Sequence, residues 1–439
     1  MTDNISDKAS MTTTSYSDIE RLLVSRKDNP LFNTSYPLSP EDWKKYNAVG
    51  ELLFDVHKPL AFYIHIPFCR HICSFCEYTR ICLPDKDTQI LYVKTLLSDI
   101  KNFITKYPNI TLYGLDIGGG TPTALCNPAF EMLMDEYCSI KSQLQTTLDF
   151  EPSIEATFST LTHDKIKTIA KAGIQRISLG IQSSVKSVMK PMHRLNSEIE
   201  EMKKALDEIH KAGIAKVNLD FMYGLPEQTI DTITEDLATI EFLSPEQVTV
   251  YEFRANQVCK DFATNVEESY SQYCQLYDGL LKLGYFAKFG QNTFSRNAYD
   301  MGVSSYLRHR MFDGWQYKGF GISAQSMSKL GLSYNIGKNA SGILKLIDYA
   351  DSFESFQHYN LPPEEVLAKF IAISGYSGGF SINAANELLG DDFCSIYSDI
   401  LSYLSTSEVI KIDSERIQFT HKGFRNYGAI LSLFYPKKE

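Results

Sequence analysis

Between residues 60 and 253 the chain repeats one pattern, a short β-rich apolar run followed by a segment with helical period. Strands are predicted at Leu60–Ile66, Leu112–Ile117, Ser153–Thr157, Arg176–Ile181, Val217–Met222 and Val248–Phe253. Asp87–Tyr107 sets Ile90, Val93, Leu97, Ile100 and Ile104 on one helical face. Thr162 is placed to cap the start of the next helix and Gly173 to end it. Further helices are predicted over Ser197–Lys211, stopping at Gly213, and over Thr229–Phe242. Strands alternating with helices predict a parallel sheet with right-handed crossovers. Six units are two short of a closed eightfold barrel. The expected fold is therefore α/β, an open partial (β/α)6 barrel, with a doubly wound sheet as the alternative.

The alternation stops near Gln291. Aromatics and glycines dominate Phe312–Phe320, and from Pro362 the pattern is mostly helical, with a hairpin predicted over Val409–Phe419 around Ser414-Glu415. The expected organisation is a polar N-terminal tail over residues 1–32, the partial barrel over 33–290, and an α-rich, winged-helix-like C-terminal domain over 291–439 that acts as substrate domain or lid.

Charge narrows the function. Lys plus Arg number 43 and Asp plus Glu 53, giving 43 − 53 = −10 over 439 residues, against broad nucleic-acid binding, which needs basic surface. No apolar run reaches the ~18 residues of a membrane helix, and no apolar stretch follows a basic start as in a secretory leader. The expected location is the cytoplasm, where the nine cysteines would be reduced. Cys82, Cys126, Cys138, Cys259, Cys274 and Cys394 are scattered and suggest no disulfide framework.

Cys69, Cys73 and Cys76 are different. They lie in His65-Ile-Pro-Phe-Cys-Arg-His-Ile-Cys-Ser-Phe-Cys-Glu-Tyr78, directly after the first strand, at the end where α/β folds place their sites. A structural zinc site takes four Cys or His ligands; the nearest fourth candidates are His65, His71 and Cys82. Cys-x3-Cys-x2-Cys does not match the paired Cys-x2-Cys knuckles of zinc ribbons, and it fits an iron–sulfur cluster better. Three protein thiolates on a four-iron cluster leave one iron open.

Cys69-x3-Cys73-x2-Cys76 after a first strand resembles the motif of the radical S-adenosylmethionine (radical SAM) enzymes. The wider Tyr63-Ile-His-Ile-Pro-Phe-Cys69 resembles the branch typified by oxygen-independent coproporphyrinogen III oxidase. Thr34-Ser-Tyr-Pro37, Gly118-Gly-Gly-Thr-Pro-Thr123, Ile154-Glu-Ala156, Ser178-Leu-Gly-Ile-Gln-Ser183 and Asp220-Phe-Met-Tyr-Gly-Leu-Pro226 agree in order, so the resemblance covers roughly residues 33–435. It implies a [4Fe-4S] cluster on Cys69, Cys73 and Cys76 whose open iron chelates S-adenosylmethionine. A reduced cluster would cleave that cofactor to methionine and a 5′-deoxyadenosyl radical. An electron donor such as flavodoxin or ferredoxin is implied.

The family's pattern serves two S-adenosylmethionine molecules side by side. Tyr63, Gly119 and Glu155 match the cluster-bound one; Phe75, Gly120, Thr121, Gln182, Arg194 and Asp220 match the second. The residue types suit the work. Glycines admit a ligand to the backbone, Glu155 and Asp220 are able to pair with an ammonium, and Arg194 is able to hold a carboxylate bidentately. Arg254 aligns with a further contact, in a text (Tyr251-Glu-Phe-Arg-Ala) that departs from the family. So does Tyr78, which stands where the coproporphyrinogen enzyme has a fourth cysteine. That departure turns the expectation towards the related class C radical SAM methyltransferases, which methylate sp² carbons of flat aromatic or quinone substrates. Menaquinone is the first substrate to test, and Tyr306–Phe320 is a candidate lining for a flat ring. The alternatives are coproporphyrinogen decarboxylation and a haem-binding chaperone or anaerobic haem-degrading relative, both of which take a tetrapyrrole.

Overall fold

The computed structural model describes residues 15–27, 29, 32–255, 265–337, 342–354 and 357–436. Cys259 lies outside them, as does most of the expected tail.

Six parallel strands form the barrel wall in chain order: β1 (Leu60–Ile66), β2 (Thr111–Gly119), β3 (Ser153–Ala156), β4 (Arg176–Gln182), β5 (Lys216–Tyr223) and β6 (Gln247–Glu252). The helices between them are α1 (Lys86–Lys106), α2 (Asn127–Gln143), α3 (His163–Ala172), α4 (Ile199–Lys211) and α5 (Ile230–Leu243). Thr162 and Thr229 cap α3 and α5 through their hydroxyls, and Gly173 ends α3 in the left-handed conformation. The open partial barrel is the fold, and the doubly wound alternative falls.

Period-two alternation divides each strand between two environments. Outward residues such as Phe62, Ile64, Leu115, Ile117, Ile177, Leu179, Val217, Leu219, Val248 and Val250 join the main apolar core. Inward positions are small or polar and satisfy one another. Thr249 donates to Asn218 (3.0 Å), Asn218 to Ser178 (2.8 Å), and Ser178 to Asp220 (2.9 Å). Arg176 donates to Gln247 (2.7 Å) and Ser153 (3.0 Å). Because buried polar groups cost free energy unless paired, this ladder lets the barrel interior stay polar.

The expected boundary at 290/291 falls inside the sheet. β7 (Thr293–Ser295) runs antiparallel to β6, and β8 (Tyr317–Phe320) lies parallel beside β1. β9 (Gln325–Ser328), β10 (Gly331–Tyr334) and β11 (Gln357–Asn360) extend that edge as an antiparallel meander. Covering a free edge removes exposed N–H and C=O groups, and here the chain beyond the barrel covers both. Helices α6 (Pro363–Ser374), α7 (Ile382–Leu389) and α8 (Ser398–Thr406) follow, with a three-stranded antiparallel sheet that contains the expected hairpin, Ile410–Ile412 paired with Arg416–Phe419.

The tail also holds more than polar chain. Tyr16–Arg26 is helical, capped by Ser15, with Ile19 fully buried. Tyr16 bonds to Ser402 of α8 (2.7 Å), and Arg26 reaches the Ser432 carbonyl (3.1 Å). Ile19, Leu22 and Leu23 share the face that packs there. Glu365 of α6 fastens the segment after this helix, accepting from Tyr36 (2.5 Å), Trp43 (2.8 Å) and Tyr46 (3.2 Å). Among the described residues no helix is long and apolar enough to cross a membrane.

Candidate active site at the strand ends

Cys69, Cys73 and Cys76 are free thiols on the loop leaving β1, each partly buried. The loop is pinned at both ends. Phe68-Cys69 pairs with Ile81-Cys82 as a short parallel ladder, and Ser74 N–H donates to the Met192 carbonyl (3.1 Å). Burial pushes the Cys69 thiol up to about 11 and raises Cys76. The Thr121 hydroxyl, 3.6 Å from the Cys69 sulfur, and the Arg80 guanidinium act the other way. Arg80 also donates to the Cys73 carbonyl (3.2 Å), and Arg194 lies 3.6 Å from the Cys73 sulfur. Among the described residues no three His, Cys, Asp or Glu side chains close around one metal ion. The three sulfurs are nonetheless near enough for each of Cys73 and Cys76 to raise Cys69 further.

Gly118, Gly119 and Gly120 end β2 against this loop. A side chain at Gly118 would meet the Glu155 carboxyl at 2.5 Å, and one at Gly120 the Ile66 and Phe68 carbonyls at 2.8 Å. Gly119 has φ +109°, and a Cβ there would lie 2.4 Å from the His65 ring. Its N–H donates to Glu155 (3.0 Å). His65 was one of the zinc candidates; burial holds its pKa down to about 4. The neutral ring donates from Nε2 to the Thr79 carbonyl (2.9 Å), leaving Nδ1 towards Tyr63 Oη at 3.5 Å. His193 is exposed and bonds through Nδ1 to Ser74 (2.7 Å).

Glu155, Asp220 and Asp116 bring carboxyls to the same interior. Burial pushes Glu155 and Asp116 up to about 7 and raises Asp220. Gln182 sits at a bulge in β4 with φ +67°, where one residue is left over in the pairing with β5. Its Oε1 is buried and has no partner. Asp236 of α5 builds the turn behind it, accepting from Ser183 (3.0 Å) and Ser184 N–H (2.6 Å). Arg194 donates to the Gly180 carbonyl and to Asn196 (3.2 Å). Phe75 packs against the small apolar cluster formed by Val188, Met189, Met192, Met222, Leu225 and Phe253. The structure thus gathers Tyr63, Phe75, Gly119, Gly120, Thr121, Glu155, Gln182, Arg194 and Asp220 at one end of the barrel, around the thiols. Arg254 stands at the rim, donating to Asn33 (2.7 Å), Ser35 (3.1 Å) and Tyr376.

Sequence reasoning did not reach Arg80, Asp116, Asp236 or Arg310. Asp236 had no local signal, since its partners are 52 or more residues away, and neither the Tyr78 nor the Cys73 carbonyl that Arg80 holds is written in a side-chain pattern. Asp116 had one, a carboxylate in the apolar run Leu112–Ile117.

Three comparisons bear on this geometry. Residues 63–240 match the family model of the Radical SAM superfamily. The heme chaperone HemW of Lactococcus lactis subsp. lactis is 25% identical over 393 residues, 84% of this chain and 95% of that one. The oxygen-independent coproporphyrinogen III oxidase of Bradyrhizobium diazoefficiens is 29% identical over 315 residues, covering 66% and 68%. Among solved structures, the coproporphyrinogen III oxidase HemN from Escherichia coli superposes with a TM-score of 0.70 at 21% identity, over 86% of this chain and 90% of that one. The chain therefore carries a radical SAM domain in a HemN-like α/β fold. Along most of its length it is similar to HemW and HemN, and its cofactors are a [4Fe-4S] cluster and S-adenosylmethionine. The residues present fit them, with three grouped thiols, a glycine cradle that any side chain would fill, and an unpartnered amide oxygen on Gln182.

Proposed function

We propose that the chain binds a tetrapyrrole in the open barrel interior, above the thiol loop, and carries out radical chemistry on it. The single observation that supports this most is the lining of that interior. Tyr63 stacks on Tyr306 (5.8 Å, 19°), Tyr251 meets Tyr376 edge-on (6.0 Å, 86°), and Tyr78 lies within electrostatic range of Tyr63, Tyr251 and Tyr376, offering flat apolar surface with polar edges. Tyr78 is 58% exposed although Glu155, Tyr376, Cys76 and Arg310 all lie within electrostatic range, as expected for a side chain projecting into an open cavity. The relatives that match most of this chain are named for haem handling and coproporphyrinogen oxidation. That favours the two alternatives over C-methylation, and over menaquinone as the substrate.

Bound together, the cluster and S-adenosylmethionine supply a one-electron reductive cleavage and a hydrogen-abstracting radical. In our reading Cys69, Cys73 and Cys76 hold the cluster, and Glu155 and the Gly119 backbone meet the amino-acid end of the cofactor. Tyr63 packs against the cofactor. Phe75, Gly120, Thr121, Gln182, Arg194 and Asp220 form an adjoining place for a second cofactor molecule. The tyrosine lining excludes water from the reacting carbon.

The test is anaerobic incubation of reconstituted, dithionite- or flavodoxin-reduced protein with coproporphyrinogen III or haem, followed by mass spectrometry. Substrate-dependent 5′-deoxyadenosine with loss of carboxyl groups as CO₂ establishes decarboxylation. Haem bound tightly without cofactor cleavage removes the radical step from the reading and leaves a chaperone. Label transfer from the S-adenosylmethionine methyl group to a quinone, with neither tetrapyrrole bound, would overturn the reading.

A further inference from the structure

Arg310 brings a half-buried positive charge to this cavity, and no carboxylate among the described residues pairs with it. Among the described residues its side-chain hydrogen bond runs to the Tyr306 hydroxyl (2.8 Å), and its guanidinium lies 4.5 Å above the Tyr317 ring and 5.6 Å above the Tyr306 ring. The groups that feel its charge most are Tyr306, Tyr317, Tyr78 and Tyr113, all neutral phenols. A partly desolvated guanidinium set among aromatic rings keeps donors in hand and lacks a counter-charge.

The backbone holds it there. Residues His309–Asp313 form a π-helical turn, a geometry frequent at functional sites. His309, 4% exposed, is held between Asp149 (2.8 Å) and Asp313 (2.5 Å) and stacks on Trp315 at 4.0 Å and 2°. Ser304 caps this region onto Asp116 (2.6 Å), and Gly114 lets the chain at Tyr306 approach within 2.6 Å of where a side chain would be. Tyr306 in turn stacks on Tyr63 (5.8 Å, 19°), and Tyr63 lies within electrostatic range of both Arg310 and Glu155. A ligand group on Arg310 is therefore on the cavity wall next to the cofactor end.

We infer that Arg310 anchors a carboxylate of the substrate, so that the cavity selects flat molecules bearing carboxylate side chains over neutral ones of the same shape. The inference rests on the tetrapyrrole reading and adds the group that recognises the ligand. Tyr306 and Tyr317 orient the guanidinium fork, and the carboxylate completes its bidentate pairing.

The probes are coproporphyrin III and the same macrocycle with all four carboxyls capped as N-methylamides, titrated into reconstituted full-length protein. Wild type is expected to bind the free acid at least about tenfold more tightly, the size of a lost charge-assisted pair. In Arg310→Gln that preference disappears, and in Arg310→Lys it falls to an intermediate value. Cluster content, thermal midpoint and S-adenosylmethionine affinity, measured on each variant, are expected to match wild type. Equal preference in wild type and Arg310→Gln overturns the inference and leaves the tetrapyrrole reading standing. Loss of S-adenosylmethionine binding instead reassigns Arg310 to the cofactor and also overturns it. No binding of either porphyrin to wild type defeats the reading and the inference together.

Discussion

Replacing Gly119 by Ala tests the cofactor cradle with a single methyl group. Two costs follow from its position. At φ +109° an L-residue is strained by roughly 1–3 kcal/mol. The methyl would also lie 2.4 Å from His65, which must shift and give up its 2.9 Å bond to Thr79, worth about 1 kcal/mol. The sum is about 2–4 kcal/mol of stability. The Gly119–Glu155 hydrogen bond would be disturbed as well, so cofactor affinity falls further than stability does. Gly213→Ala is the matched control, since Gly213 has φ +90° and nothing within 4 Å of an added Cβ. Denaturant unfolding and equilibrium binding of S-adenosylmethionine on both reconstituted variants separate the effects. Gly213→Ala should lose about 1 kcal/mol and bind normally. If Gly119→Ala binds the cofactor as Gly213→Ala does, the glycine is an ordinary turn and the cradle assignment is wrong.

Three further outcomes are expected. Cys73→Ala should retain little iron and sulfide after anaerobic reconstitution, and full retention would refute the cluster assignment. The Glu155 carboxyl, held near 7 by burial, must be ionised to pair with an ammonium. Acidifying from pH 8 to pH 6 should therefore weaken S-adenosylmethionine binding in wild type, and the Glu155→Gln profile should be flat and weak. Asp116 has a folded pKa of about 7, above its ordinary 3.8, so its contribution is present below about pH 4 and is lost as pH rises through 7. Asp116→Asn should accordingly be more stable than wild type at pH 8, by on the order of 2–4 kcal/mol, with the gain vanishing at pH 4; equal unfolding free energies at pH 8 would show that this carboxyl is not desolvated.

The barrel was legible because its strands obey one rule. Leu60–Ile66 is a strand with those same ends, and the other five fall within two residues of their predicted limits. Helix ends were legible where a cap was written, as at Thr162 and Gly173. Helices Asn127–Gln143 and Val266–Lys282 were missed. In the first, Pro128 at the start and Phe130, Leu133, Tyr137 and Ile140 at helical spacing were the available signal. The strand pairing across the expected 290/291 boundary was hidden because Tyr317–Phe320 pairs with Leu60–Ile66 across more than 250 residues, a contact that no local pattern encodes. At the site, Glu155 and Gln182 lie at or next to the ends of their strands as the sequence pattern indicated, while Asp220 lies within β5. Their electrostatics were not legible, since the raised carboxyls and the unpartnered Gln182 oxygen depend on which side chains meet in the interior.

The measurement that tests the central claim most directly is electron paramagnetic resonance of the reconstituted, dithionite-reduced protein with and without S-adenosylmethionine. Three thiols and an open iron beside Gly119 and Glu155 predict a reduced four-iron signal that shifts when the cofactor is added, and a much smaller shift in Glu155→Gln. A four-iron signal that the cofactor leaves unchanged, or no cluster signal at all, would contradict the account.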